Sequence, residues 1–182
     1  MIPLTPHALL RPLQLSDAAA LFDVIEANRS LLEQYLYWTA SVTSVEDTYR
    51  YIDERIHSKA NGAAWYAIVF QARIAGVLGV KAIDVAKSEM EMGYWLGAQA
   101  QGHGIVTRAV LAVANRIFNE QQVKTLVLHC LAENQASQRV AQRLGGRWVE
   151  VVKGFYELDG SVQDLQIAHV TLPITLSTKP PT

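Results

Sequence analysis

The sequence predicts a mixed α/β domain built around one sheet. Three observations carry that prediction. Apolar residues recur at helical spacing in the first third of the chain, the period shifts to that of strands between residues 64 and 96, and strand and helix patterns then alternate to the end. The middle strands follow one another through short polar connections and so pair antiparallel, unlike the steady strand–helix alternation of a doubly wound sheet. With 182 residues, 50% of them apolar and 18% charged, the chain has room for one domain with a sizeable core.

The elements follow in order. Residues 8–15 (ALLRPLQL) read as the first strand, with Pro12 marking an edge or a distortion because proline donates no ladder hydrogen bond. Ser16 and Asp17 can cap a helix over 17–27, in which Ala18, Leu21, Val24 and Ile25 share a face. Asn28 and Ser30 restart a short helix through SLLEQYL. The next helix opens at Ser44, three residues before Asp47, which resembles a capping box with aspartate in place of glutamate. Val45, Tyr49, Ile52 and Ile56 follow at helical spacing, and Asn61-Gly62 closes the segment.

Residues 64–70 (AWYAIVF), 74–83 (IAGVLGVKAI) and 89–96 (EMEMGYWL) are the three middle strands. The glycine-bearing loop AQAQGHG leads into a helix over about 105–119, with Val106, Ala109, Val110, Val113 and Ile117 on its apolar face. Residues 125–131 (TLVLHCL) are apolar enough for a buried strand. Asn134 caps a helix to Leu144, closed by Gly145-Gly146. Two last strands, near 147–153 and 165–174, flank a loop that holds Asp159-Gly160. Residues 177–182, with Pro180 and Pro181, read as a frayed tail, which leaves 1–176 as a single domain.

Composition excludes several classes. Lys and Arg number 16 against 17 Asp and Glu, no block of like charge occurs, and the footprint of a nucleic-acid binder is missing. One cysteine, Cys130, supports neither an internal disulfide nor a cysteine-rich zinc site. The histidines lack metal-ligand spacing, so no metal is assigned. The N-terminal residues do not read as a secretory signal, and no stretch approaches the roughly 20 apolar residues that span a bilayer. The expected location is the cytoplasm, with no membrane partner.

One loop carries chemistry. Gln101-Gly102-His103-Gly104-Ile105-Val106 sits between a strand and a helix. The first turn of a helix holds N–H groups with no intrahelical partner, its dipole favours negative charge, and glycines let the backbone approach a phosphate. No Gly-Lys-Ser/Thr follows as in a Walker A loop, and Thr107 stands where G-x-G-x-x-G needs its last glycine. A nucleotide-binding α/β domain is therefore a weak reading. His129 and Cys130 are neighbours on one strand and point to opposite faces, which suits no nucleophile–base pair; Cys130 reads as a small core residue. His103 reads as a solvated loop residue. Tyr35, Tyr37 and Trp38 line either the core or an acceptor site.

These segments together resemble the GNAT superfamily of acetyltransferases, and within it the RimJ/RimL branch. The loop is similar to the GNAT pyrophosphate loop Gln/Arg-x-x-Gly-x-Gly/Ala, with Val106 departing at the last position. GYWL (93–96) resembles the branch's bulged strand. Asn134-x-x-Ser137-x-x-Val140-Ala141-x-x-Leu144-Gly145 resembles the family's segment after the fifth strand, with Gly146 where an aromatic is usual. LLRPLQLSDAAALFDVI resembles the branch's opening strand and helix, and Asp164 fits the aspartate before its last strand. The similarity spans about residues 8–172.

The resemblance implies a GNAT acyl-CoA N-acyltransferase fold, a mostly antiparallel central sheet of about seven strands flanked by helices. It implies acetyl-CoA as cosubstrate, no metal, and direct attack by a primary amine in a ternary complex. The branch's acceptor is a protein N-terminus, the serine of a ribosomal protein. Tyr94, Trp95 and Leu96 would offer backbone to pantetheine and the developing oxyanion. Gln101, Gly102, His103, Gly104, Ile105, Val106 and Thr107 would hold the pyrophosphate, and Asn134 pantetheine. Ser137 would be the acid toward the CoA sulfur. Glu91 and Glu157 are both candidates for the base. Ordinary roles compete: Ser137 is also a first-turn helix residue, Asn134 an N-cap, and Glu91 part of a solvated sheet face. A small-molecule amine acetyltransferase and a non-catalytic acyl-CoA-binding regulator are the alternatives, and homodimerisation is left open.

Overall fold

The three middle strands form where the period of two places them, and the sheet grows outward from them. The computed structural model describes residues 1–158 and 161–175. Its strands are β1 (Ile2–Thr5), β2 (Ala8–Pro12), β3 (Ala64–Phe70), β4 (Arg73–Asp84), β5 (Glu89–Leu96), β6 (Thr125–Leu131), β7 (Arg147–Leu158) and β8 (Ser161–Thr171). Its helices are α1 (Ala18–Ala27), α2 (Arg29–Leu32), α3 (Val45–Ile56), α4 (Ile105–Gln121) and α5 (Gln135–Arg143). One sheet contains all these strands in the order β1-β2-β3-β4-β5-β6-β8-β7. Among the described residues only the β5–β6 pair is parallel.

Five details differ from the sequence reading. The sheet has eight strands rather than about seven, because β1 pairs with β2 and covers its outer side. Pro12 therefore ends a strand rather than marking an edge: it lies past Leu10, the last β2 residue paired with β1, so no ladder donor is missed. Asp17 does not cap α1 with its side chain; it turns back to accept from Arg11 at 2.6 and 2.7 Å and from the Gln14 N–H at 2.9 Å. The α3 helix stops at Ile56, and the Asn61 amide instead ties the following turn to the Ile83 carbonyl at 2.9 Å. The last hairpin is also longer than expected, so Glu157 lies within β7. Asp159 and Gly160, and the segment expected to fray, fall outside the described residues.

Alternation along the strands sorts side chains to two cores. Leu78, Met90, Met92, Leu126 and Leu128 pack against Ile105, Val110 and Val113 of α4. On the other face Ala67, Val77 and Trp95 pack against Leu21 and Ile25 of α1 and Ile52 of α3. One feature of the ladder positions the site. The β5–β6 pairing runs from Glu89 opposite Thr125 to Met92 opposite Leu128 and stops. Beyond it, Gly93–Leu96 stay with β4, while His129–Leu131 stay with β8. The sheet divides there into two halves.

Candidate active site

A cavity of about 280 Å³ occupies the division. Gly93, Tyr94 and Trp95 of β5 line one side, Leu128 to Leu131 of β6 the other. The pleat gives it two walls of different chemistry.

The wall toward α4 and α5 holds Tyr94, Cys130, Asn134 and Ser137. Asn134 is the N-cap of α5, its Oδ1 accepting from the Ser137 N–H at 3.0 Å, which fixes Ser137 in the first turn. The Tyr94 hydroxyl is buried with no hydrogen-bond partner among the described residues. Burial raises its pKa, nearby Cys130 adds to the rise, and the Ser137 hydroxyl opposes it. Burial also pushes the Cys130 thiol up to about 11, so it stays protonated at neutral pH.

The glycine loop meets this wall at the start of α4. Gly102 has φ +79° and the N-cap Gly104 φ +67°, conformations that side chains with a Cβ adopt at a cost. Among the described residues, no acceptor within the chain takes the backbone N–H groups of 102 to 107. The Thr107 Oγ1 is buried without a partner as well. These unpaired donors at a helix start fit a pyrophosphate. Gln101 Nε2 ties the loop to the Leu96 carbonyl at 3.1 Å, and the Asn28 side chain accepts from the Ala98 N–H at 2.8 Å. His103 folds over the loop, Nδ1 2.8 Å from the Gln101 carbonyl and its ring centroid 4.9 Å from that of Phe70. Ile105 and Val106 point into the core, so packing absorbs the valine that departs from the family pattern. Gly146 has an equally local reason. It completes a Schellman motif, with Gly145 N–H donating to Gln142 and Gly146 N–H to Ala141, and a Cβ there would stand 2.8 Å from the Ala141 oxygen.

The wall toward α1 and α3 is aromatic and cationic. Trp38 packs on Tyr51 with ring centroids 4.5 Å apart, and Trp95 Nε1 donates to the Tyr51 hydroxyl at 3.1 Å. The Arg55 guanidinium lies 3.4 Å from the Tyr51 ring centroid and donates to the Tyr51 carbonyl at 2.9 Å. Among the described residues no carboxylate lies within 4.0 Å of it, and the buried Nε of Arg55 and Nε1 of Trp65 have no acceptor. Lys81 Nζ sits 2.7 Å from Glu91 Oε1, and His129 Nδ1 lies 3.4 Å from that same oxygen. Burial lowers the His129 pKa, while the Glu91 charge opposes the shift.

Tyr94, Trp95, Asn134 and Ser137 thus come together at the cavity, with the Trp95 ring on the aromatic wall. Glu91 reaches the cavity edge through Lys81 and His129. Glu157 is exposed on β7 and is not part of the cavity wall, although Phe155 and Tyr156 are. The sequence reading overlooked Tyr51, Arg55, Trp65 and Lys81, and it weighed His129 only as a strand neighbour of Cys130. For His129 a signal existed: strand parity places it on the face of Val127, which is opposite Glu91 in the ladder.

Residues 7–147 match the family model described as an acetyltransferase (GNAT) domain. The chain belongs to the GNAT acetyltransferase family. It is an acetyl-CoA-dependent N-acetyltransferase on the mixed α/β fold described above. The ribosomal-protein-serine acetyltransferase of Escherichia coli (strain K12) is 29% identical over 126 residues, covering 69% of this chain and 70% of that relative. Among solved structures, RimL, a ribosomal L7/L12 α-N-protein acetyltransferase in complex with coenzyme A disulfide-linked to a cysteine, has a TM-score of 0.86. It is 29% identical and covers 94% of this chain and 98% of its own. The microcin C7 self-immunity acetyltransferase MccE in complex with acetyl-CoA and AMP has a TM-score of 0.84 at 28% identity, covering 93% of this chain and 94% of its own. Among the described residues no helix is long and apolar enough to cross a membrane, and no cluster of side chains is placed to hold a metal.

Proposed function

We propose that the acceptor is the N-terminal amine of a protein, the serine of a ribosomal protein, acetylated in the cytoplasm. The observation that carries this reading is the extent of the likeness to RimL. It covers 94% of the chain and so includes α1 to α3 and the β7–β8 hairpin, the elements around the acceptor side, as well as the cofactor loop.

Acetyl-CoA supplies an acetyl group activated as a thioester. The N–H groups of 102 to 107 and the Thr107 hydroxyl bind its pyrophosphate. Gly93 to Leu96, without a strand partner on the β6 side, offer backbone to pantetheine and donors to the thioester oxygen. Asn134 holds the α5 start in place, and Ser137 gives a proton to the departing sulfur. A protein α-amine has a pKa of about 7.7–8.0 against about 10.4 for lysine, so it is deprotonated far more readily. Arg55, a fixed cation with no carboxylate beside it, favours acceptors with an acidic group near the amine.

A small-molecule amine is the second reading, favoured by the nearly equal likeness to MccE, whose structure contains AMP. Homodimerisation belongs to the proposal too, along β7 at the sheet edge, where Val149, Val151 and Phe155 are exposed. The test is thiol release from acetyl-CoA with a panel of amines: serine peptides with and without acidic side chains, other N-termini, lysine peptides, polyamines and aminoacyl nucleotides. Release with serine peptides is expected, fastest with the acidic ones. Release confined to small amines would replace the proposed acceptor.

A further inference from the structure

We propose that His129 is the general base that takes the proton from the acceptor amine, with Glu91 orienting its imidazole and Lys81 fixing Glu91. The proposal rests on transfer to an amine and holds for a peptide or a small acceptor alike.

The acceptor-side wall leaves few candidates. Arg55 and Lys81 are cations. The Tyr hydroxyls are weak acids, and the Cys130 thiol, pushed up to about 11, holds its proton. The near oxygen of Glu91 already takes the Lys81 ammonium at 2.7 Å. Asp164 is committed to Lys153 at 2.7 Å and to the Gly154 N–H at 3.1 Å. Glu157 is outside the cavity wall. The His129 imidazole remains, at the point where the two half-sheets part, just after Leu128 makes the last pair with Met92. Its side chain is 32% exposed.

With Nδ1 toward the Glu91 oxygen, Nδ1 carries the hydrogen and Nε2 the lone pair. The 3.4 Å separation is long for a hydrogen bond, as such bonds often are before substrate binds. The charged groups facing the ring are Glu91 of β5, Lys81 of β4, Glu150 of β7 and His169 of β8. Burial lowers the proton affinity most, Lys81 and His169 lower it further, and Glu91 and Glu150 oppose them. The ring is accordingly neutral at pH 7. The acceptor ammonium gives one proton to Nε2, and its freed lone pair forms the C–N bond as the C–S bond breaks. The Ser137 hydroxyl protonates the thiolate, and the second ammonium proton restores that hydroxyl. The imidazolium then releases its proton to solvent.

The test is the pH dependence of kcat at saturating acetyl-CoA, with whichever amine turns over, so that failure of the serine-peptide reading leaves the result decidable. In the wild type kcat falls as pH drops through the range of the His129 imidazole, which lies below that of a free histidine. His129→Gln is expected to lower kcat at pH 7 by about 10²–10⁴-fold and to abolish that acid limb, with the KM for acetyl-CoA unchanged. Glu91→Gln is expected to move the acid limb to lower pH, because the charge that favours the imidazolium is gone. A kcat within threefold of wild type in His129→Gln, or an unchanged acid limb, overturns the proposal. Should His129→Gln lose stabilisation by acetyl-CoA, His129→Ala with added imidazole decides: restored turnover supports the base, and none overturns it.

Discussion

Two hydroxyls face the cofactor side of the cavity, and their surroundings separate their roles. Tyr94 is buried and holds its proton more tightly than usual, and the Ser137 hydroxyl beside it opposes that shift. Ser137 sits in the first turn of α5 with its backbone N–H already used by the Asn134 cap. Removing the Ser137 hydroxyl leaves that cap intact. Ser137→Ala is therefore expected to lower kcat by on the order of 10² with little change in the KM for acetyl-CoA, measured by steady-state thiol release. An unchanged kcat would remove Ser137 from the chemistry. Ser137 and Asn134 were legible in the sequence because their spacing along one helix is local. His129 was not, although its parity was visible, because what makes it accessible is the end of the β5–β6 pairing. That end is set by which strands β5 and β6 follow on their far sides, and no local pattern encodes it.

The α3 helix presents Tyr51 and Arg55 to the acceptor wall, so its register depends on where it starts. Ser44 Oγ accepts from the Asp47 N–H at 3.1 Å, and Asp47 Oδ2 accepts from the Thr43 N–H at 3.0 Å. Ser44→Ala is expected to cost about 1 kcal/mol. For a chain of this length that lowers Tm by roughly 2–4 °C, read by thermal unfolding followed by circular dichroism. No change in Tm would mean that Asp47 alone holds the helix start. The start of α3 was readable because the cap lies within four residues of sequence. The last hairpin was harder. Its β7 strand bulges at Lys153 and Gly154, where Gly154 has φ +62°, and Asp164 from β8 accepts from both. Those two bonds hold the Asp164 pKa below its usual range, and they join residues about ten positions apart across two strands. Local period cannot reveal such a tie, so the strand was expected to end near residue 153 and Glu157 to lie in a loop.

For the molecule as a whole, the division between β5 and β6 leaves two half-sheets that meet through four residue pairs and through packing on α4. The glycine loop and Gly93–Leu96 belong to the β1–β5 half, while Asn134 and Ser137 follow directly from β6 in the other. A cofactor held by both groups bridges the halves and binds only the folded assembly. At one hundred times its dissociation constant it should stabilise the fold by about 2.7 kcal/mol. The gain should also have a location. Amide exchange of the native protein should slow on Gly93–Leu96, on residues 102 to 107 and on the first turn of α5 together, because opening either half releases the ligand from both. The outer strands β1 and β2, held by their own ladder, should show protection only through the global increase in stability. Slowing confined to the loop and β5, with α5 unchanged, would mean that the β6 half takes no part in holding acetyl-CoA. Asn134 and Ser137 would then be helix-start residues without a ligand. Slowing on both sides would make the gap in the sheet the binding element itself, with the cofactor occupying the place of the missing strand contacts.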